Sequence, residues 1–326
     1  MPEDLFAPAW ARIDRADGLR LQMAQLWNAY TETDPYRVSL EGQGNGVYIL
    51  RLIQDERMPT ELAIAIGEWL YNLRSALDYL MWATAAHVSG QIPPLGEGQL
   101  QYPIYDSEAA WASNLYRLKQ LGEHHREMLK TMQPFNSNLD ANYLGWINRL
   151  ARIDRHRHLS DMTAYIAEME PVIAIPDGCK ATLQWGERLL SLGRADVARI
   201  VVTPWHPGMK VEVNPRLGID PEIADWADSS FWKRVRFAER FHMLQIFAAA
   251  EIAVYEYDCT GDSRRADALT DEYKAECDAR LSDGPSQPVR AARAPVKWTA
   301  PKDGAPSTRH RFHGSGLRAE RPHDVN

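Results

Sequence analysis

The side chains that could do chemistry fall in two stretches. In the first, Tyr71, Arg74 and Asp78 recur at helical spacing, and Gly67 lies one turn before Tyr71 on the same stripe. An arginine placed there could clamp a phosphate or carboxylate through two donors. Asp78, one turn on, could instead lock the guanidinium and leave no vacant anion site. The missing side chain of Gly67 would leave room for a neighbouring group. Asn72 and Tyr79 share an adjacent, more outward face with Glu68 and Ser75, where they would extend a hydrogen-bonding network.

The second stretch, Asn148 to Leu159, carries Asp154, His156 and His158. On a helix, Asp154 and His158 share the inner face with Leu144, Ile147 and Ala151, while His156 points towards Arg149 and Arg152. A carboxylate one turn before an imidazole could fix its tautomer and create a proton-transfer pair. The same two groups could accept a metal, but two ligands are an incomplete set, and no HExxH run or compact Cys/His set accompanies them. A purely structural hydrogen-bond network is the third use. The catalytic candidates are therefore Arg74, Asp154, His156 and His158; Tyr71, Asn72, Asp78 and Tyr79 are network candidates. No metal and no cofactor is expected. The whole proposal requires the two helices to cross so closely that guanidinium, carboxylate and imidazole share one enclosure.

Other chemistry is thin. There is no Walker loop, dinucleotide fingerprint or Gly-x-Ser-x-Gly elbow. His124-His125-Arg126 could bind an anion, although neighbours on a helix point apart. Trp185, Trp205 and Trp226 could line a ligand surface, with packing the alternative use.

The elements that must position these groups follow from periodicity. Leu62, Ile66, Leu70, Leu73, Leu77, Met81 and Ala85 predict a helix over Thr60–His87, started by Pro59 and Thr60. Helices are also expected over Leu5–Tyr30, with Ala9, Ile13, Leu21 and Leu26 among its apolar positions, and over Ser107–Leu118, Glu123–Met132 and Asn142–Leu159. Two more are expected over Phe231–Tyr257 and Arg264–Leu281. Gly44-Asn45-Gly46 between two branched runs predicts a β-hairpin. Met162–Ile175, Ala181–Gln184, Arg194–Thr203 and Lys210–Asn214 predict a small antiparallel sheet that the hairpin would join. The fold class is α+β, a mainly helical core with that sheet, in one body over residues 1–282.

The chain has 326 residues, 45% of them apolar, and a net charge of -7. That balance gives no reason for a nucleic-acid coat or for attraction to anionic membranes. Cys179, Cys259 and Cys277 are far apart, which points to a reducing compartment. No apolar run is long enough for a signal peptide or membrane span, and a cytoplasmic location is expected. From Asp283 onward eight Lys/Arg residues stand against four acids, and prolines and glycines replace the apolar pattern. Residues 283–326 are expected to be a disordered basic tail.

The run Trp69-Leu-Tyr-Asn-Leu-Arg-Ser-Ala-Leu-Asp-Tyr-Leu80 resembles the leading motif of a group of uncharacterised bacterial and phage proteins, typically LHNLRSALDHL. Ile153-Asp-Arg-His-Arg-His-Leu159 resembles that group's DKHR segment. The resemblance implies no activity. A more distant similarity is to HEPN domains, helical modules of RNA-cleaving toxins, whose signature is an arginine, a polar residue and, after a short gap, a histidine. With Arg74 as that arginine, the histidine would fall on Tyr79, Leu80 or Met81. Tyr79 is a poor substitute, since a phenol ordinarily titrates near about pH 10. Arg152 with His158, and Arg149 with His156, satisfy the gap, but Ile153 and Leu150 stand where the pattern prefers a polar residue.

The expected function is that of a non-enzymatic interaction or accessory protein with an unidentified protein partner and no membrane partner. A homodimer is compatible with long helices that expose apolar area. The alternative is a divergent HEPN-like, metal-independent ribonuclease, with RNA as partner. There Arg74, or Arg152 in its stead, would stabilise phosphoryl charge, His158 or His156 would move protons, and Asp154 would orient the imidazole.

Overall fold

The helix expected over Thr60–His87 forms from Thr60 to Ser89 in the computed structural model, and all seven residues of its apolar stripe are buried. Gly90 ends it in the left-handed region, at φ 63°. The structure describes residues 4–156, 162–227, 229, 231–232, 235–282 and 308–311. In chain order the elements are α1 (Ala7–Glu32), β1 (Tyr36–Gly44), β2 (Val47–Gln54), α2 (Thr60–Ser89), α3 (Glu108–Asn114), α4 (Glu123–Thr131) and α5 (Tyr143–His156). Then come β3 (Met162–Met169), β4 (Val172–Ile175), β5 (Lys180–Trp185), β6 (Arg194–Thr203), β7 (Glu212–Asn214) and β8 (Leu217–Ile223). The chain continues with α6 (Ala224–Ala227), α7 (Phe237–Thr260), α8 (Arg264–Ser282) and β9 (Thr308–Arg311). The class is α+β, as the residue pattern predicts.

The contacts gather into two compact units, whereas the sequence reading has a single body over 1–282. The first unit comprises Met1–Trp27, Pro59–Met162 and Glu222–Val289. Its spine is α2, against which α7 and α5 pack. The buried seam of α1 here runs through Ala9, Ile13, Ala16, Leu19, Met23 and Trp27; Leu21, expected on it, is 69% exposed. Side-chain bonds tie three helices together: Trp69 Nε1 donates to Gln245 Oε1 (3.0 Å), and the Gln245 amide donates to Asp17 Oδ1 (2.8 Å). Trp226 is the centre of an aromatic floor, with Trp146, Trp232 and Phe241 rings each 5.7 Å away. Arg240 reaches into that floor and bonds both carboxylate oxygens of Glu222, the two side chains being 2% and 1% exposed.

The second unit comprises Asn28–Met58, Thr163–Pro221 and Arg290–Asn326. Its main sheet has the order β1-β2-β6-β5, antiparallel throughout. The hairpin turns through Gly44, Asn45 and Gly46, all at positive φ, which type the sequence correctly as a tight turn. Leu50 and Leu52 of β2 face inward, two residues apart as strand alternation requires. The register slips between Leu50 and Arg51 opposite β6, where Val197 is the extra residue; both Val197 and Ala198 are buried there. Smaller sheets pair β3 with β8 and order β7-β4-β9.

Three details depart from expectation. The span Met162–Ile175 is two strands, parted at Glu170-Pro171. The sequence reading assigns no strand to Leu217–Ile223, yet β8 forms and all seven of its residues are buried. Gly218, an ordinary strand-weakener, is needed there: a Cβ would lie 3.0 Å from that of Glu168 on β3. Within the expected disordered tail, Thr308–Arg311 forms β9, paired antiparallel with β4; residues 283–307 and 312–326 lie outside the described residues. Among the described residues no helix is long and apolar enough to cross a membrane.

Candidate functional site

All the catalytic and network candidates that the structure describes belong to the first unit. The polar stripe of α2 forms as the periodicity requires, and its charges are used on the chain itself. Arg74 Nη2 donates to the carbonyl oxygen of Tyr102 (2.7 Å), and the Tyr102 N–H donates to Asp78 Oδ1 (2.8 Å). Arg74 and Asp78 also pair with each other at 3.3 Å. Together they offer Tyr102 one donor and one acceptor, as a neighbouring strand would. The segment before Tyr102 is rich in proline and glycine and supplies no regular ladder, so α2 satisfies its backbone instead. Arg74 is 12% exposed in its side chain. Of the two uses foreseen for Arg74, the one seen is the guanidinium locked by Asp78 rather than left open to an anion.

Gly67 makes the other half of the stripe intelligible. A Cβ there would lie 2.6 and 2.7 Å from the carboxylate oxygens of Asp154, so the space left by glycine is filled by α5. Gly67 and Arg74 are two turns apart, about 10 Å along the axis. Asp154 and Arg74 thus lie against one face of α2 at two levels. His158 lies outside the described residues, and of His156 the structure describes only the helical backbone. Arg149 sits over the Trp146 ring (4.5 Å), and both it and Arg152 are exposed.

The outward face of α2 carries a groove of about 390 Å³ in which three of the four network candidates, Tyr71, Asp78 and Tyr79, take part. Asn72 stands beside it, buried, its amide donating to the Glu68 carbonyl (2.8 Å) and accepting from Arg12 Nη1 (3.2 Å). Arg12, on α1, lies over the rings of both Tyr71 (5.7 Å) and Tyr79 (5.8 Å). Sequence reasoning misses Arg12 because it is remote in the chain, and nothing near it marks it out. Asp4 also lines the groove. Its Oδ1 accepts the N–H groups of Phe6 and Ala7 at the start of α1, and its Oδ2 meets Arg265 at 2.9 Å.

A further cluster joins α4 to α7. His124 and His125 both place Nε2 at 2.9 Å from Asp258, one on each oxygen. The expectation that the two rings point apart is corrected: they converge on one carboxylate, which occupies the place of a bound anion. Burial pushes the His125 pKa down, against the pull of Asp258, whose own carboxyl is held below its usual range, chiefly by His124. Cys259 Sγ lies 3.7 Å from His125 Nε2, the same nitrogen that meets Asp258. A thiol–imidazole–carboxylate relay needs opposite ring nitrogens. Burial and the Asp258 charge also push the Cys259 thiol up to about 11, away from the thiolate. The cluster therefore lacks the geometry of an activated nucleophile.

Beneath it, Glu251 accepts from the Tyr102 hydroxyl (3.0 Å), and burial raises its carboxyl to about 7. Of the tryptophans considered for a ligand surface, Trp226 is fully buried, while Trp185 and Trp205 of the second unit are partly exposed. Among the described residues no group of three or more His, Cys, Asp or Glu side chains is placed to hold a metal ion. The chain matches no protein-family model, no curated protein and no solved structure, so the functional argument rests on this geometry.

Proposed function

We propose that the chain is a non-enzymatic interaction or accessory protein, in which Arg74, Asp78 and Asp154 form an internal polar framework. The observation that carries this reading is the pair of hydrogen bonds between α2 and the Tyr102 backbone. A guanidinium and a carboxylate committed in this way hold the 91–102 segment in place. They are poorly set to meet a phosphodiester, which would have to displace a buried backbone partner at the cost of leaving it unbonded. The widely spaced cysteines support a reducing compartment, and we place the protein in the cytoplasm, acting on an unidentified protein partner.

The test incubates the purified full chain with mixed single-stranded and structured RNAs, with and without chelator. Wild type, Arg74→Lys and His158→Ala are expected to leave the RNAs equally intact. Cleavage by wild type that a folded Arg74→Lys or His158→Ala protein loses would overturn the reading in favour of a HEPN-like ribonuclease. Circular dichroism checks the folding of each variant.

A further inference from the structure

We propose that the groove between α1, α2 and the 92–100 segment binds a small amphipathic monocarboxylate, its charged end on Arg12 and its apolar body on Leu5, Pro8, Ile92 and Leu100. The proposal goes beyond the non-catalytic reading and does not depend on it. Ligand binding here and RNA cleavage are measured separately, so either can fail alone.

The sign of the ligand follows from which charges are already matched. Two carboxylates line the groove, and each meets a guanidinium: Asp4 meets Arg265, which Glu256 shares at 2.6 Å, and Asp78 meets Arg74. Arg12 has no carboxylate partner among the described residues. Its one hydrogen bond there runs from Nη1 to the uncharged amide oxygen of Asn72. Arg12 is therefore the cation in the groove's lining that has no carboxylate beside it among the described residues. A ligand with a single negative charge would pair with it. A second negative charge would meet Asp4 and Asp78 without compensation.

The shape of the donor follows from the rings. The guanidinium lies over both Tyr71 and Tyr79, which limits its motion, and Asn72 occupies Nη1. That leaves the Nε–Nη2 edge, whose two parallel N–H groups match the two oxygens of a carboxylate. Ser75, Tyr71 and Tyr79 line the same space, and their hydroxyls make no hydrogen bond among the described residues, which leaves them free to meet the oxygens that the fork does not. The remaining wall is apolar, and a volume of about 390 Å³ suits a small molecule. Ile92 is 60% exposed, apolar surface that a ligand body would cover.

The experiment titrates the full chain with phenylpropionate, with phenylpropionamide and with phenylpropylamine, followed by ligand-observed NMR. The carboxylate is expected to bind at least about tenfold more tightly than the amide, as a charge-assisted bidentate pair should, and the amine more weakly still. Arg12→Gln should remove that preference, and Arg12→Lys, which keeps the charge without the fork, should retain part of it. Leu192→Ser, a fully exposed position in the second unit, should change nothing. Binding of the amine as tight as that of the carboxylate, a preference that survives Arg12→Gln, or no binding of any of the three would overturn the proposal.

Discussion

Arg240 and Arg12 both lie on aromatic rings of the helical unit, Arg240 at 5.0 Å from Trp226 and 5.8 Å from Phe237, Arg12 at 5.7 and 5.8 Å from two tyrosines. Their surroundings differ. Arg240 is almost fully buried, bonds both oxygens of Glu222 and gives Nε to the Val235 carbonyl at 3.0 Å. Arg12 is half-buried and has an amide for a partner. A guanidinium taken out of water needs a matched counter-charge, because desolvation otherwise exceeds what its contacts return. One that keeps contact with water has no such need and stays open to a ligand. Arg74 belongs with Arg240: its donors are directed at its own chain.

The comparison breaks first at Glu222. Glu222→Gln leaves the Arg240 charge buried without its counter-ion, and a loss of about 3–5 kcal/mol in urea-monitored unfolding is expected. A loss below about 1 kcal/mol would erase the distinction between the two arginines.

Glu251 sharpens the same point from the acidic side, being a buried carboxyl whose bonded partner is a phenol and not a cation. Its folded pKa, about 7, lies above the 4.5 of an ordinary glutamate. Its contribution is therefore complete below the unfolded pKa and is lost as pH rises through the folded one. Glu251→Gln, which cannot ionise, should gain about 3 kcal/mol on wild type between about pH 5 and about pH 8. A difference that stays constant across that window would show that the carboxyl ionises without cost.

Gly67→Ala tests whether Asp154 is committed as firmly. The added Cβ meets the carboxylate at 2.6 Å, so a loss of about 1–3 kcal/mol is expected. Much of it should vanish when the substitution is made in an Asp154→Ala background, a coupling that a double-mutant cycle reads directly. Strict additivity would place the cost elsewhere in the α2–α5 contact.

The smallest effect is expected at Arg12. Arg12→Gln should shift thermal unfolding by no more than about 1 kcal/mol, since it removes one hydrogen bond to the Asn72 amide and breaks no ion pair. A loss comparable with that of Glu222→Gln would make Arg12 a structural residue.

Much of the fold is legible in the residues. The heptad-like apolar stripe of α2, the Gly-Asn-Gly turn and the branched runs of β5 and β6 are local patterns that name their own elements. β8 escapes because Gly218, Asp220 and Pro221 disfavour a strand locally, and only burial against β3 makes it one. The candidate site is legible to a lesser degree. Spacing puts Arg74 beside Asp78 and leaves Gly67 empty, but a helical projection does not say what comes to meet them.

By itself the sequence determined periodicity, turn chemistry and which charges share a helix face, because these depend on residues within a few positions of each other. Only the tertiary structure decided that Arg74 and Asp78 grip Tyr102, that Asp154 fills the space at Gly67, and that Arg12 comes to lie on Tyr71 and Tyr79. Each of these joins segments far apart in the chain. Partner choice at such distances is set by how the helices pack, and packing optimises the burial of whole faces rather than the spacing of any one pair.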